Sequence, residues 1–297
     1  MKNFLAIVVV LSMIISCTPA HKTEKIVPDL SVYEYDLTKE VVQLVYDAVA
    51  VIEARGEKAF PDFREKDSIW FYGDNYVFVW GLDGMRYVYP PDISGEGKNM
   101  LELQDVNGKP IGKMFLETAT TGEGWVFYEW NLPGSDILEW KSTFIRKAVA
   151  PSGKEFLVGS GKYNIPVEKI FVENIVKEAA AVLHKEGKEA AFARFNAITD
   201  KFIFLDSYVF VKTDAGVELV NPFSPELVGK DIRYLQDANG KYFVRDELEL
   251  LKANDSCWME YVWPKPGEKE PSQKLVYVEK VDVAGEKLVV GAGYFSR

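Results

Sequence analysis

The sequence is poor in the residues on which most enzyme chemistry depends. Its 297 residues include two histidines, His21 and His184, and two cysteines, Cys17 and Cys257. Neither histidine has a duplicate in the repeat described below, so no His-based triad and no zinc set is supported. No Gly-rich loop ending in Lys-Ser/Thr is present, which removes the common phosphate cradle. Gly-x-Ser-x-Gly is absent, so Gly159-Ser160-Gly161 reads as close packing at a strand end. Asp105-x-Asn107-Gly108 and its twin lack the further acidic ligands of a calcium loop and read as turns. Lys/Arg clusters are missing too, and 45 Asp+Glu against 35 Lys+Arg give a formal charge of −10. That surface repels nucleic acid. Acidic residues are plentiful enough for a glycosidase-type pair, yet nothing singles one out. The expectation is a protein that is not an enzyme and needs no metal or cofactor.

What is present begins at the N-terminus. Lys2 precedes a 12-residue apolar run over residues 4–15. A membrane-spanning helix needs about 20 residues, so the run has the proportions of a signal-peptide h-region. Ile14-Ile15-Ser16-Cys17 follows and resembles a bacterial lipobox. The resemblance implies a signal peptide over residues 1–16, lipidation of Cys17, a tether over 17–37, and a bacterial cell-envelope location facing the periplasm or exterior. No later apolar run reaches transmembrane length. With Cys17 lipidated no disulfide can form, and Cys257 reads as a small buried hydrophobe beside Trp258.

The remainder is long enough for two domains of about 130 residues, and it repeats itself. Asp74-Asn75-Tyr76-Val77-Phe78-Val79 matches Asp206-Ser207-Tyr208-Val209-Phe210-Val211, and Pro90 matches Pro222. Leu103-Gln104-Asp105-Val106-Asn107-Gly108-Lys109 matches Leu235-Gln236-Asp237-Ala238-Asn239-Gly240-Lys241, and Gly159-x-Gly161 matches Gly291-x-Gly293, all at an offset of 132. Trp125, Tyr128, Trp130 and Lys141 match Trp258, Tyr261, Trp263 and Lys274 at 133. A period this long means two whole domains rather than a solenoid.

Each copy opens with an amphipathic helix. Val41, Leu44, Val45, Ala48, Val49 and Ile52 share one face, as do Ile175, Val176, Ala179, Val182 and Leu183, with Pro166 suited to a first turn. A shorter helical stretch ending near Phe63 and Phe195 is predicted next. The rest reads as strands: residues 76–80, 125–130, 142–148 and 156–161 and their counterparts, broken by Asp83-Gly84, Asp214-Ala215-Gly216, Asn107-Gly108 and Asn239-Gly240 turns. A long helix packed on an antiparallel sheet of about five strands is α+β.

The order of these motifs resembles the Cache superfamily of extracytoplasmic sensor domains, in its single-Cache type-2 pattern, over roughly residues 38–297. The pattern comprises Tyr76/Tyr208 leading a strand, Gly84/Gly216, a residue before proline (Tyr89 and Asn221, where His is common), Gly97-Lys98/Gly229-Lys230, the Asp-x-Asn-Gly-Lys turns, Trp-x-x-Tyr-x-Trp, Lys141/Lys274 and a final Gly-x-Gly. The resemblance implies two tandem PAS-like domains, 38–164 and 165–297, each with a pocket for a short carboxylate or related metabolite and no catalysis. Family members commonly continue through a membrane span into a signalling module, whereas this sequence ends at Arg297. The signal is therefore expected to pass in trans to an envelope receptor or signalling partner.

Strand alternation sets Tyr128 and Trp130 on one face and Trp125 on the other, with the same split for Tyr261 and Trp263 against Trp258. One side can line a cleft while the other feeds a core. The expected ligand-binding set is Tyr76, Tyr89, Trp125, Tyr128, Trp130 and Lys141 in the first copy, and Tyr208, Asn221, Trp258, Tyr261, Trp263 and Lys274 in the second. The lysines would neutralise a ligand carboxylate. The competing readings are an envelope adaptor that presents surfaces without binding a ligand, and a hydrolytic envelope enzyme.

Overall fold

The computed structural model describes residues 26–132 and 135–296. Cys17 and His21, and with them the expected signal peptide and lipid site, lie outside the described residues.

The first repeat runs α1 (Asp36–Arg55), α2 (Phe60–Phe63), a small hairpin of β1 (Phe71–Tyr72) and β2 (Asn75–Tyr76), β3 (Phe78–Gly81), β4 (Arg86–Val88), α3 (Ile111–Thr121), β5 (Glu123–Asn131), β6 (Leu138–Val149) and β7 (Glu155–Tyr163). The second repeats it as α4 (Lys169–Glu186), α5 (Lys188–Phe195), β8 (Ile203–Phe204), β9 (Ser207–Tyr208), β10 (Phe210–Thr213), β11 (Glu218–Val220), α6 (Phe243–Ala253), β12 (Ser256–Pro264), β13 (Pro271–Val283) and β14 (Glu286–Phe295). Each has a five-stranded antiparallel sheet, in the orders β4-β3-β7-β6-β5 and β11-β10-β14-β13-β12. The expected α+β architecture is present twice. Among the described residues no helix is long and apolar enough to cross a membrane.

The long helices form because their apolar residues recur every three or four positions. Val41, Val45, Ala48, Val49 and Ile52 of α1 are buried on one face of the first sheet, and Val172, Ile175, Val176, Ala179 and Leu183 of α4 do the same in the second. These faces join into one continuous apolar core that crosses the junction between the repeats. Phe127 of β5 stacks on Phe204 with ring centroids 4.6 Å apart and meets Phe171 of α4 at 5.1 Å.

Two expectations are corrected. Pro166 does not open α4, which starts at Lys169. The intervening Glu168 stays extended, and its buried carboxylate accepts the backbone N–H groups of Glu34 and Tyr35 at 2.8 and 3.1 Å. The segment after each Asn-Gly turn is a helix, not a strand. In α3, Ile111, Phe115 and Ala119 are buried at steps of four, and in α6 Phe243, Glu247 and Leu251 are. These helices cover the sheet faces opposite α1 and α4, and each closes a cavity. Gly112 is required in α3, because a Cβ there would collide with the Met100 carbonyl. The turns themselves form as expected: Asp105 and Asp237 each accept two backbone N–H groups of the turn at Oδ1 and a third from the neighbouring strand at Oδ2, and Gly108 and Gly240 take positive φ.

Candidate ligand-binding cavities

Between α3 and the first sheet lies a cavity of about 50 Å³ lined by Tyr76, Phe78, Trp80, Arg86, Tyr89, Leu103, Ile111, Phe115, Tyr128 and Trp130. Strand alternation brings Tyr128 and Trp130 to this face, and Lys141 joins them because it pairs with Tyr128 across β5 and β6. Lys141 is 2% exposed. Its Nζ donates to Tyr76 Oη at 2.8 Å and lies 4.5 and 4.9 Å from the Tyr76 and Tyr163 ring centroids. No carboxylate sits within ion-pair distance of it among the described residues. Arg86 lies over the Tyr89 ring at 4.2 Å and donates to the Gly95 carbonyl. Tyr128 Oη and Thr143 Oγ1 are 2.9 Å apart. Burial pushes the Tyr76 and Tyr128 phenols well above their ordinary range, so both stay protonated donors. Trp80 Nε1 is buried without a hydrogen-bond partner. Arg86 lines this cavity, the Lys141 ammonium lies behind its Tyr76 wall, and no carboxylate lines it.

The second repeat builds the same cavity from different charges. Four positions diverge at the 132 offset: Trp80 becomes Lys212, Arg86 becomes Glu218, Tyr89 becomes Asn221 and Phe115 becomes Glu247. Lys212 Nζ donates to both Glu247 oxygens at 2.8 and 3.1 Å, with side chains 3% and 1% exposed. Asn221 Nδ2 donates to Glu218 Oε1 at 2.9 Å. The Lys274 ammonium lies 4.0 Å from the Tyr208 ring centroid. Burial pulls Lys274 down to about 7, against the opposing charges of Asp206 and Glu218. Burial likewise pushes Glu218 up to about 7, against Lys212 and the Asn221 hydrogen bond. The remaining space is about 20 Å³, the volume of a single water.

Of the residues expected to meet a ligand, Tyr76, Tyr89, Tyr128 and Trp130 line the first cavity, with Lys141 one residue behind it on Tyr76, and Tyr208, Asn221, Tyr261, Trp263 and Lys274 line the second. Trp125 and Trp258 do not. They occupy the opposite sheet faces, as odd-numbered neighbours on a strand must. Trp125 packs on Phe144 and Phe171 and donates to Tyr33 Oη at 3.2 Å, while Trp258 packs on Tyr277 and donates to Glu173. Both belong to the core and its junction. Trp80, Arg86, Glu218 and Glu247 were absent from the expected set. Comparing the repeats position by position exposes the first three; Glu247 needed α6 to bring it in. A groove of about 530 Å³ lies at the junction beside Tyr33, Trp125 and Phe171, where the Lys201 ammonium is paired with Glu178 at 2.7 Å. Among the described residues no three His, Cys, Asp or Glu side chains gather to hold a metal.

Comparison with known proteins places the same motifs. Residues 53–169 match the family described as single Cache domain 2, and residues 167–293 match the family described as Cache domain. The sensor histidine kinase MctS of Rhizobium johnstonii is 27% identical over 146 residues, 48% of this chain and 30% of that protein. The methyl-accepting chemotaxis protein McpP of Pseudomonas putida is 26% identical over 90 residues, 30% of this chain and 16% of that protein. The chain thus spans less than a third of either relative. Among solved structures, a Cache chemosensory domain studied for carboxylic acid recognition is 21% identical and covers 43% of this chain and 92% of its own, with a TM-score of 0.39. The ligand-binding domain of the Pseudomonas aeruginosa amino acid chemoreceptor PctB with L-Arg is 11% identical, covering 88% and 87%, with a TM-score of 0.32.

Proposed function

Because this chain belongs to the Cache domain family and carries two such domains in tandem, we propose that it is an extracytoplasmic sensor whose first cavity binds a short carboxylate. The observation that carries this reading is the Lys141 ammonium, buried behind the Tyr76 wall of an aromatic cavity with that tyrosine's hydroxyl as its hydrogen-bond partner. A buried cation without a carboxylate is costly unless a ligand supplies one. A bound carboxylate takes the place of Tyr76 Oη at Lys141 and gains the indole N–H of Trp80. The space present, about 50 Å³, limits the ligand to a few heavy atoms. The reading extends to domain limits of 38–164 and 165–297, to an envelope anchor at Cys17, and to a partner that receives the signal in trans.

Calorimetric titration of residues 18–297 with short carboxylates and their isosteric amides tests the site. Carboxylates bind and amides do not, and Lys141→Met weakens binding by roughly tenfold or more, as loss of a charged hydrogen bond requires. Equal binding of acid and amide, or indifference to Lys141→Met, overturns it. The small cavity volumes favour one other reading, an envelope adaptor that binds no ligand. The absence of any binding would turn attention to that reading and to capture of a protein partner.

A further inference from the structure

The two cavities differ in the charges that line them. Arg86 lines the first, with Lys141 behind Tyr76 and no lining carboxylate. Glu218, Lys212 and Lys274 line the second, with Asp206 adding negative charge from the side. Lys212 and the neighbouring Glu247 are satisfied by each other. Glu218 is not: it is 2% exposed, one oxygen accepts from Asn221, and Oε2 is buried without any hydrogen-bond partner. Among the described residues no ammonium or guanidinium lies within ion-pair distance of it. An orphaned carboxylate oxygen at this depth calls for a donor, above all a charged one.

The surroundings indicate the donor's shape. The inner space, about 20 Å³, admits only a head group. Tyr208 and Trp263 line both this space and an outer cavity of about 480 Å³ beneath the loop joining β12 to β13. Aromatic walls around a carboxylate suit an alkylammonium, whose N–H groups meet the acid while the rings face its charge. A carboxylate ligand would bring its charge against the orphaned Glu218 oxygen and be repelled. A quaternary ammonium has no N–H to give Oε2.

We propose that the second cavity is a site for a small primary amine, whose ammonium donates to Glu218 Oε2 and whose carbon tail runs out past Tyr208 and Trp263 into the outer cavity. The protein is then a two-input sensor, with an anion in one repeat and a cation in the other. The proposal shares with the carboxylate reading only the premise that these cavities take ligands, and either site can fail without the other.

The test is calorimetric titration of residues 18–297 with ethylamine, propylamine and butylamine at mildly alkaline pH, where Glu218 is ionised. Tetramethylammonium, propionate and glycine serve as comparisons. The expected result is saturable binding of the primary amines and none of tetramethylammonium, with the amine signal retained in Lys141→Met. Glu218→Gln should weaken amine binding by at least about tenfold. Leu227→Trp leaves every charge in place but fills the inner space, and should abolish amine binding while propionate binding in the first cavity persists. Absence of amine binding, amine binding unchanged in Glu218→Gln, or binding of glycine without binding of the simple amines would each overturn the proposal. Propionate titrated into the same protein reports separately on the first cavity.

Discussion

The Lys109 ammonium of the first repeat donates a 2.9 Å hydrogen bond to the Ile203 carbonyl of the second. It also donates to the Phe127 carbonyl at 3.2 Å and is 1% exposed. Its twin, Lys241, occupies the same turn in the second repeat, is only partly buried, and reaches the Glu260 carbonyl at 2.6 Å. The first lysine is buried because the second repeat docks over it, whereas among the described residues nothing docks over the second.

Lys109→Met leaves two buried carbonyls short of a donor and is expected to cost about 2 kcal/mol. Lys241→Met should change stability by less than about 0.5 kcal/mol, as a surface substitution does. Urea denaturation of the two variants checks this, and equal losses would deny that Lys109 ties the repeats together.

Lys212 and Glu247 form a buried ion pair where the first repeat has Trp80 and Phe115, with ring centroids 5.3 Å apart. Lys212→Met alone strands a buried carboxylate and should cost about 3–5 kcal/mol. The double change Lys212→Trp with Glu247→Phe restores the first repeat's pair and should recover most of that loss, because an apolar pair carries no desolvation penalty. Equilibrium unfolding of single and double variants forms the cycle. A double variant no better than the worse single one would refute the equivalence.

Phe127 supplies the aromatic stack at the junction, and its twin Glu260 is exposed. A phenylalanine at that exposed position would present the same apolar ring that packs at the junction, with nothing in this chain to cover it. Glu260→Phe should therefore produce concentration-dependent self-association in analytical ultracentrifugation. Phe127→Glu should destabilise the chain by about 3 kcal/mol or more, through lost packing and a buried charge.

Glu218 gives stability a distinctive pH dependence. Burial raises its folded value to about 7 from an ordinary 4.5. Between those values the folded chain binds more protons than the unfolded one, so stability through this group falls as pH rises from 4.5 to 7. The loss is at most about 3 kcal/mol. Lys274, pulled down to about 7 from 10.5, acts with the opposite slope: its burial penalty is complete below 7 and is relieved as pH climbs toward 10.5. Glu218→Gln should flatten the acid limb and leave the alkaline one. Melting temperatures across that range decide it, and an unchanged acid limb would show that Glu218 does not titrate there.

Much of this was readable from residue order. The duplication stood in ordered matches from Asp74 to Gly293, and the α+β class followed from a three-and-four periodicity giving way to alternation. Alternation also sets Tyr128 and Trp130 apart from Trp125, because side-chain direction along a strand is a local property of the backbone. The helices α3 and α6 were missed. Their buried faces amount to Ile111, Gly112, Phe115 and Ala119, or Phe243, Val244, Glu247 and Leu251, too few apolar positions to declare a period, and a buried glutamate reads as solvent-facing until its lysine is known.

What the sequence by itself determined is therefore the repeated local pattern: two helices, two sheets, and the aromatic and lysine positions on each sheet face. Tertiary structure alone decided which of two equivalent lysines, Lys109 or Lys241, is buried, and that Lys212 meets Glu247 while Glu218 Oε2 meets no donor. Those outcomes depend on partners 35 to 94 residues away in the chain. The burial that sets their charge balance exists only once the helices close over the sheets.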